Sequence, residues 1–163
     1  MADKDVTDII QTSAEVHEAS ALPCARVVHT GPDAPRTAEL EPLPESVAAQ
    51  PIEAKSPAQW AYERVILYIQ NFEKQLDNDH EVGMGLAGGG AGVIRIEGLG
   101  YYDPDIITFY GTNEAGAKTQ LIQHVAQLNV ALVASPKHID QPEPTRIGFR
   151  LATALEPDED VTS

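Results

Sequence analysis

The chain has 163 residues, with 25 acidic against 11 basic side chains and a formal net charge of −14. Such a balance leaves no basic stripe to displace counterions from phosphates, which argues against a nucleic-acid partner. No apolar run approaches the ~20 residues of a membrane span, and Met1-Ala2-Asp3-Lys4-Asp5 lacks a secretory pattern, so a cytoplasmic protein without a membrane partner is expected.

Residues 1–55 hold ten acids and four bases, no aromatic residue, and most of the seven prolines that precede Ala58. A segment so poor in large apolar side chains cannot offset its ordering entropy, and a disordered acidic, Pro-rich arm is expected there. The acidic stretch Glu156-Pro157-Asp158-Glu159-Asp160 reads the same way, as a tail over residues 156–163. Between them, residues 56–155 are expected to form a single domain. Cys24 is the one cysteine, which excludes an internal disulfide or a cysteine-based zinc site within one chain.

The domain opens on a helix signal: Ser56 at the cap, Pro57 at the first helical position and Gln59 three residues after the serine. Ala58, Ala61, Tyr62, Val65, Ile69, Phe72 and Leu76 then form one stripe at helical period, ending near Asn78. Trp60, Arg64 and Leu67 stand on nearly the opposite side. A helix apolar on two sides touches two things, so these residues, with Gly83 and Gly85, are candidates for an oligomer interface. The alternative is that the arm or a curled sheet covers Trp60 and Leu67.

Beyond the helix, Val82, Met84 and Leu86 alternate with Gly83, Gly85 and Ala87, and Val93-Ile94-Arg95-Ile96-Glu97 reads as a second strand after a turn at Gly88 to Gly90. Small residues on one side of a strand let something else approach closely. Tyr101-Tyr102-Asp103-Pro104-Asp105 is a turn signal, and Ile106-Ile107-Thr108-Phe109-Tyr110 a third strand. Residues 114–128 are expected to be a second helix, with Ala117, Leu121, Val125 and Leu128 on one face. Val130-Ala131-Leu132-Val133-Ala134 predicts a buried strand, residues 135–145 a proline-rich loop, and Ile147, Phe149 and Leu151 a final strand. The order α-β-β-β-α-β-β indicates an α+β fold with helices packed on a mainly antiparallel sheet.

Three blocks, Tyr101-Tyr102-Asp103-Pro104-Asp105-Ile106-Ile107-Thr108-Phe109-Tyr110-Gly111, Gln120-Leu121-Ile122-Gln123-His124-Val125 and Arg146-Ile147-Gly148-Phe149-Arg150-Leu151, resemble a family of small bacterial proteins of unknown function. The resemblance spans about residues 56–151. It implies domain limits and a bacterial or phage origin, and no activity.

The strongest chemical motif is Gly111-Thr112-Asn113-Glu114-Ala115-Gly116-Ala117-Lys118-Thr119, set after a predicted strand at a predicted helix start. A nucleotide loop needs glycine directly before the lysine, and Ala117 stands there instead, so Gly111, Lys118 and Thr119 could hold a simple anion at most. Asp77-Asn78-Asp79-His80-Glu81 gathers hard ligands but lacks the calcium-loop glycine, and no metal site is expected. His124 is the one histidine inside a predicted regular element, and a catalytic role would need a partner such as Tyr101, Tyr102, Asp103, Tyr110 or Arg146. Arg95, Arg146 and Arg150 with Tyr101 and Tyr102 are candidates to line a pocket for a planar or anionic ligand, as guanidinium forks and aromatic faces do. No catalytic residue and no cofactor is assigned. The expectation is a non-enzymatic, homo-oligomeric interaction or ligand-binding module. The alternative is a small anion- or nucleotide-sequestering protein, or a small enzyme, using residues 111–119 with the arginines and His124.

Overall fold

Ser56 caps the main helix as its position requires: its Oγ accepts from the Gln59 amide at 3.0 Å, and Pro57 occupies the first turn. The computed structural model describes residues 24–86 and 92–155. They form helices α1 (Glu45–Ala49), α2 (Pro57–Glu73) and α3 (Ile147–Thr153), and strands β1 (His80–Leu86), β2 (Val93–Tyr102), β3 (Ile106–Thr112), β4 (Lys118–His124) and β5 (Val130–Pro136). The strands make one sheet in the order β4-β3-β2-β1-β5, and every neighbouring pair is antiparallel. The expected α+β class, with helices on an antiparallel sheet, is therefore what the chain adopts.

One side of the sheet carries the core. Val82 and Met84 of β1, Ile94 and Ile96 of β2, and Ile107 and Phe109 of β3 pack against Val65, Ile66 and Ile69 of α2 and against Ile147 and Leu151 of α3. Alternation along β1 and β3 puts these residues on one side and Gly83, Gly85, Thr108 and Tyr110 on the other. In β2 the register shifts between Ile96 and Gly98, so that Leu99 and Tyr101 turn toward the helices after the bulge. A helix ends earlier than its apolar stripe predicts, at Glu73, and Leu76 packs on the core from beyond it.

Two elements differ from expectation. Residues 114–128 are not a helix: they hold the hairpin after β3, strand β4 and a 3-10 turn over Val125–Gln127. The spacing of Ala117, Leu121, Val125 and Leu128 fits a helix, but the same stretch alternates, with Thr119, Leu121 and Gln123 half-buried and Lys118, Gln120, Ile122 and His124 exposed. Seven register pairs with β3, from Ile106 opposite His124 to Thr112 opposite Lys118, decide between the two periods. Asn113 fixes the turn by accepting from the Ala115 and Ala117 amides, and Gly116 takes the φ of +82° that the turn needs.

Residues 147–151, expected as a strand, begin α3. Ile147 and Leu151 are buried, as an i, i+4 pair on a helix should be, and Phe149 is 72% exposed. Gly148 allows the close crossing, since a Cβ there would stand 2.9 Å from the Gln70 Cα of α2.

The described part of the expected arm also contributes to the domain. Val47 of α1 is buried, and Lys55, itself buried, donates to the Val47 carbonyl at 2.7 Å and to Glu63 of α2 at 2.8 Å. Farther back, the Asn71 amide donates to the Arg36 carbonyl, and Tyr68 donates to Glu39 at 2.6 Å. The expectations for residues 1–23 and 156–163, and for the turn at Gly88 to Gly90, lie outside the described residues.

Candidate functional site: the helix-free face of the sheet

With α2 and α3 on one side, the outward row of each strand meets no helix among the described residues. Ile122 is 65% exposed on β4, Tyr110 41% on β3, Tyr102 77% on β2 and Val133 37% on β5, large side chains spread over this face from the level of Ile106 to that of Thr112. Glycine keeps the row between them low. Tyr110 lies across Gly98 and Gly100: a Cβ on either would come within 3.7 Å of its ring. A Cβ on Gly100 would also stand 2.7 Å from Thr108 Oγ1, and one on Gly83 would meet Ser135 Oγ and, at 2.8 Å, Val93 Cγ1. The close approach expected at Gly83 is thus made by side chains of the neighbouring strands.

At one end of this face lies a cleft of about 380 Å³, with Gly83, Val93, Arg95 and Ser135 among its lining and the turn residues Asn113 and Glu114 beside them. Glu81, Glu97 and His138 also border it. Glu81 is 3% exposed, and its carboxylate accepts from the Thr145 amide and from Gln141 Nε2 at 2.9 Å. Arg95 Nη2 stands 3.1 Å from the other carboxylate oxygen. Burial pushes the Glu81 carboxyl up, but the Thr145 amide, Gln141 and Arg95 together pull it lower than burial raises it, so it is held below the ordinary carboxylate value. A charged Glu81 then anchors Arg95 at the rim of the cleft. Glu97 Oε1 accepts from Thr112 Oγ1 at 2.7 Å.

The residues singled out from the sequence do not assemble into one site. Arg95 lies on the helix-free face, while Arg146 donates to the Asp77 and His80 carbonyls at 2.8 and 2.9 Å and Arg150 lies on α3. Those two arginines share an open groove with Lys74 and Phe149, away from Arg95. Tyr101 faces the helices and packs against Tyr62 with ring centroids 4.9 Å apart and planes tilted by 53°, whereas its neighbour Tyr102 faces outward. Gly111, Lys118 and Thr119 belong to the β3–β4 hairpin, so the helix start on which phosphate binding depended does not exist. Gly111 serves packing instead: a Cβ there would overlap the Arg95 carbonyl oxygen. His124 ends β4, with Nε2 3.1 Å from Asp105 Oδ2 and Nδ1 accepting from the Ala126 amide at 3.0 Å. Its partner is Asp105, which ties the end of β4 to the start of β3, and none of the candidates expected from the sequence.

The suggested oligomer residues are likewise divided. Arg64 stacks on the Trp60 ring at 3.8 Å, and Arg64 and Leu67 border the same cleft as Ala38, Glu39 and Leu43. The second side of α2 is therefore faced by the chain's own residues, while Gly83 and Gly85 lie in the sheet layer. From the sequence, Ser135 and His138 have no place in a site, and Glu81, Glu97 and Glu114 stand only inside longer runs. Glu81 sat in view only as the last residue of an acidic run, and the loop that buries it comes from 60 positions farther along the chain. Asp77, in the same run, accepts from His80 Nδ1 at 2.6 Å and from the Asp79 amide at 2.9 Å. Among the described residues, no group of three or more His, Cys, Asp or Glu is placed to hold a metal ion, and no helix is long and apolar enough to cross a membrane.

Neither a curated protein nor a solved structure matches the chain. A sequence profile does match, over residues 50–150, and that stretch takes in α2, all five strands and most of α3. The chain belongs to that family, described as a family of unknown function, DUF6173.

Proposed function

We propose that this chain is a non-enzymatic, homo-oligomeric binding module whose working surface is the helix-free face of its sheet. The observation that carries the reading is the set of exposed large side chains Tyr102, Tyr110, Ile122 and Val133 on one face of the sheet, with glycines between them on β1 and β2. Large apolar and aromatic side chains lose their contact with water when a second surface covers them, and that loss favours association. A second copy presents the same face, and a twofold axis lying between the two sheets and parallel to them would set the two faces against each other. The reading keeps the bacterial and cytoplasmic setting expected from the sequence.

Light scattering across micromolar concentrations tests it. The wild-type chain is expected to associate, and Ile122→Arg and Val133→Arg, each on an exposed position, to shift the chain to monomer with unchanged circular dichroism. A wild-type monomer at every concentration removes the homo-oligomeric reading. Association that survives both arginines but is lost in Trp60→Glu moves the interface to α2.

A further inference from the structure

We infer that the cleft beside Arg95 is a binding site for a small zwitterion of amino-acid to dipeptide size. The cleft is built within one chain, so the inference does not depend on self-association. Three properties of its lining select the ligand. First, Arg95 is oriented without being used up. Its side chain is 31% exposed, and its Nη2 is drawn to the buried Glu81 at 3.1 Å. Beyond that contact no second acceptor of the chain meets its guanidinium among the described residues, so most of its five N–H groups are left for a ligand. A planar fork held in that way suits a carboxylate, which it can meet with two parallel bonds.

Second, the charge around Arg95 excludes strong anions. Glu81 already balances the guanidinium, and the exposed Glu97 and Glu114 border the same cleft. A phosphate of two negative charges would face both carboxylates, whereas a ligand carrying an ammonium beside its carboxylate places one charge against each kind of partner. The purely anionic ligand expected from the sequence is the poorer fit. Third, the space is small and partly apolar. About 380 Å³ bordered by Val93 and Pro136 admits short aliphatic side chains, near the lower end of the ~300–1,000 Å³ range of small-molecule sites. Ser135 Oγ, lying over Gly83, adds a hydroxyl that can donate or accept.

The full chain, labelled with nitrogen-15, is titrated with Ala-Ala, N-acetyl-Ala-Ala, Ala-Ala-amide and inorganic phosphate, following the amides of Gly83, Val93, Thr112, Asn113 and Ser135. Ala-Ala is expected to shift these amides with a Kd at least about tenfold below those of both capped forms, since each cap removes one charge. Arg95→Gln should weaken Ala-Ala about tenfold or more. Because that change also disturbs Glu81, the pair Glu97→Gln with Glu114→Gln provides a second arm. Both positions are exposed, and the double variant should weaken Ala-Ala while leaving N-acetyl-Ala-Ala unchanged or tighter. No shift with Ala-Ala, equal shifts with Ala-Ala-amide, or stronger shifts with phosphate would overturn the assignment. Light scattering on the same samples separates this outcome from the proposed self-association: a monomer that still binds Ala-Ala removes the latter alone.

Discussion

Replacing Lys55 with methionine probes whether residues before α2 belong to the folded domain. Lys55 Nζ lies 2.8 Å from Glu63 Oε2 and 2.7 Å from the Val47 carbonyl, with the two charged side chains 3% and 6% exposed. Methionine keeps an unbranched stem in the space but leaves the buried carboxylate, among the described residues, with Gln59 Nε2 alone at 3.0 Å, and leaves the Val47 carbonyl without its ammonium donor. Removing one partner of a buried pair costs about 3–5 kcal/mol, because the remaining charge stays desolvated. Lys55→Met should therefore lower the melting temperature by about 6 °C or more, at roughly 2–4 °C per kcal/mol for a chain of this length. Adding Glu63→Gln to the same chain removes the orphaned charge and should restore most of the loss, since a buried pair replaced as a unit is often nearly neutral. Calorimetry and urea unfolding on the three variants measure this. If Lys55→Met costs under about 1 kcal/mol, residues 45–55 do not pack on α2 in solution, and the argument fails.

Glu81 and Glu73 should titrate with opposite effects on stability. Glu81 is held below the usual carboxylate value, so the stability it confers is present above that value and is lost as pH falls through its lowered pKa. Burial pushes the Glu73 carboxyl up, against the opposing Gly148 amide and Arg146, so its contribution is full below the ordinary carboxylate value and is lost as pH rises through the raised one. Urea unfolding at pH 7 should show Glu81→Gln destabilised by about 1–3 kcal/mol, with a gap that narrows in acid, and Glu73→Gln equal to or above wild type. Matching pH profiles for the two variants would contradict the assignment. Gly111→Ala should cost more than Gly83→Ala, by about 1–3 kcal/mol, because the first forces Cβ against the Arg95 backbone while the second meets side chains that can turn aside. Equal losses would mean that the β2–β3 pairing yields more easily than its geometry suggests. Tyr68, donating to Glu39, should ionise only near about 12 in an absorbance titration, and an ordinary tyrosine value would show that Ala38–Leu40 does not sit on α2.

What was legible in the sequence was local or of one period. Ser56, Pro57 and the stripe through Val65 and Ile69 specify α2 because a capping side chain and an i, i+3, i+4 pattern act within a few residues. β1, β2, β3 and β5 follow from alternating or β-branched runs bounded by turn residues. Residues 118–128 and 147–153 carry apolar spacings that fit either period, and only the open edge of β3 and the close crossing at Gly148 choose strand for one and helix for the other. Composition marked residues 1–55 as unable to fold by themselves. Val47 and Lys55 are nevertheless buried, because α2 supplies the apolar surface and the carboxylate that those residues lack. The cleft was the least visible part. Glu81, Arg95, Asn113 and Ser135 are each unremarkable in the chain, and they meet because antiparallel pairing across four strands brings positions up to 54 residues apart to one end of one face. The sequence alone thus determined the α+β class and the helix that builds the core, while tertiary pairing decided which side of the sheet stayed open and which charged groups stand on it.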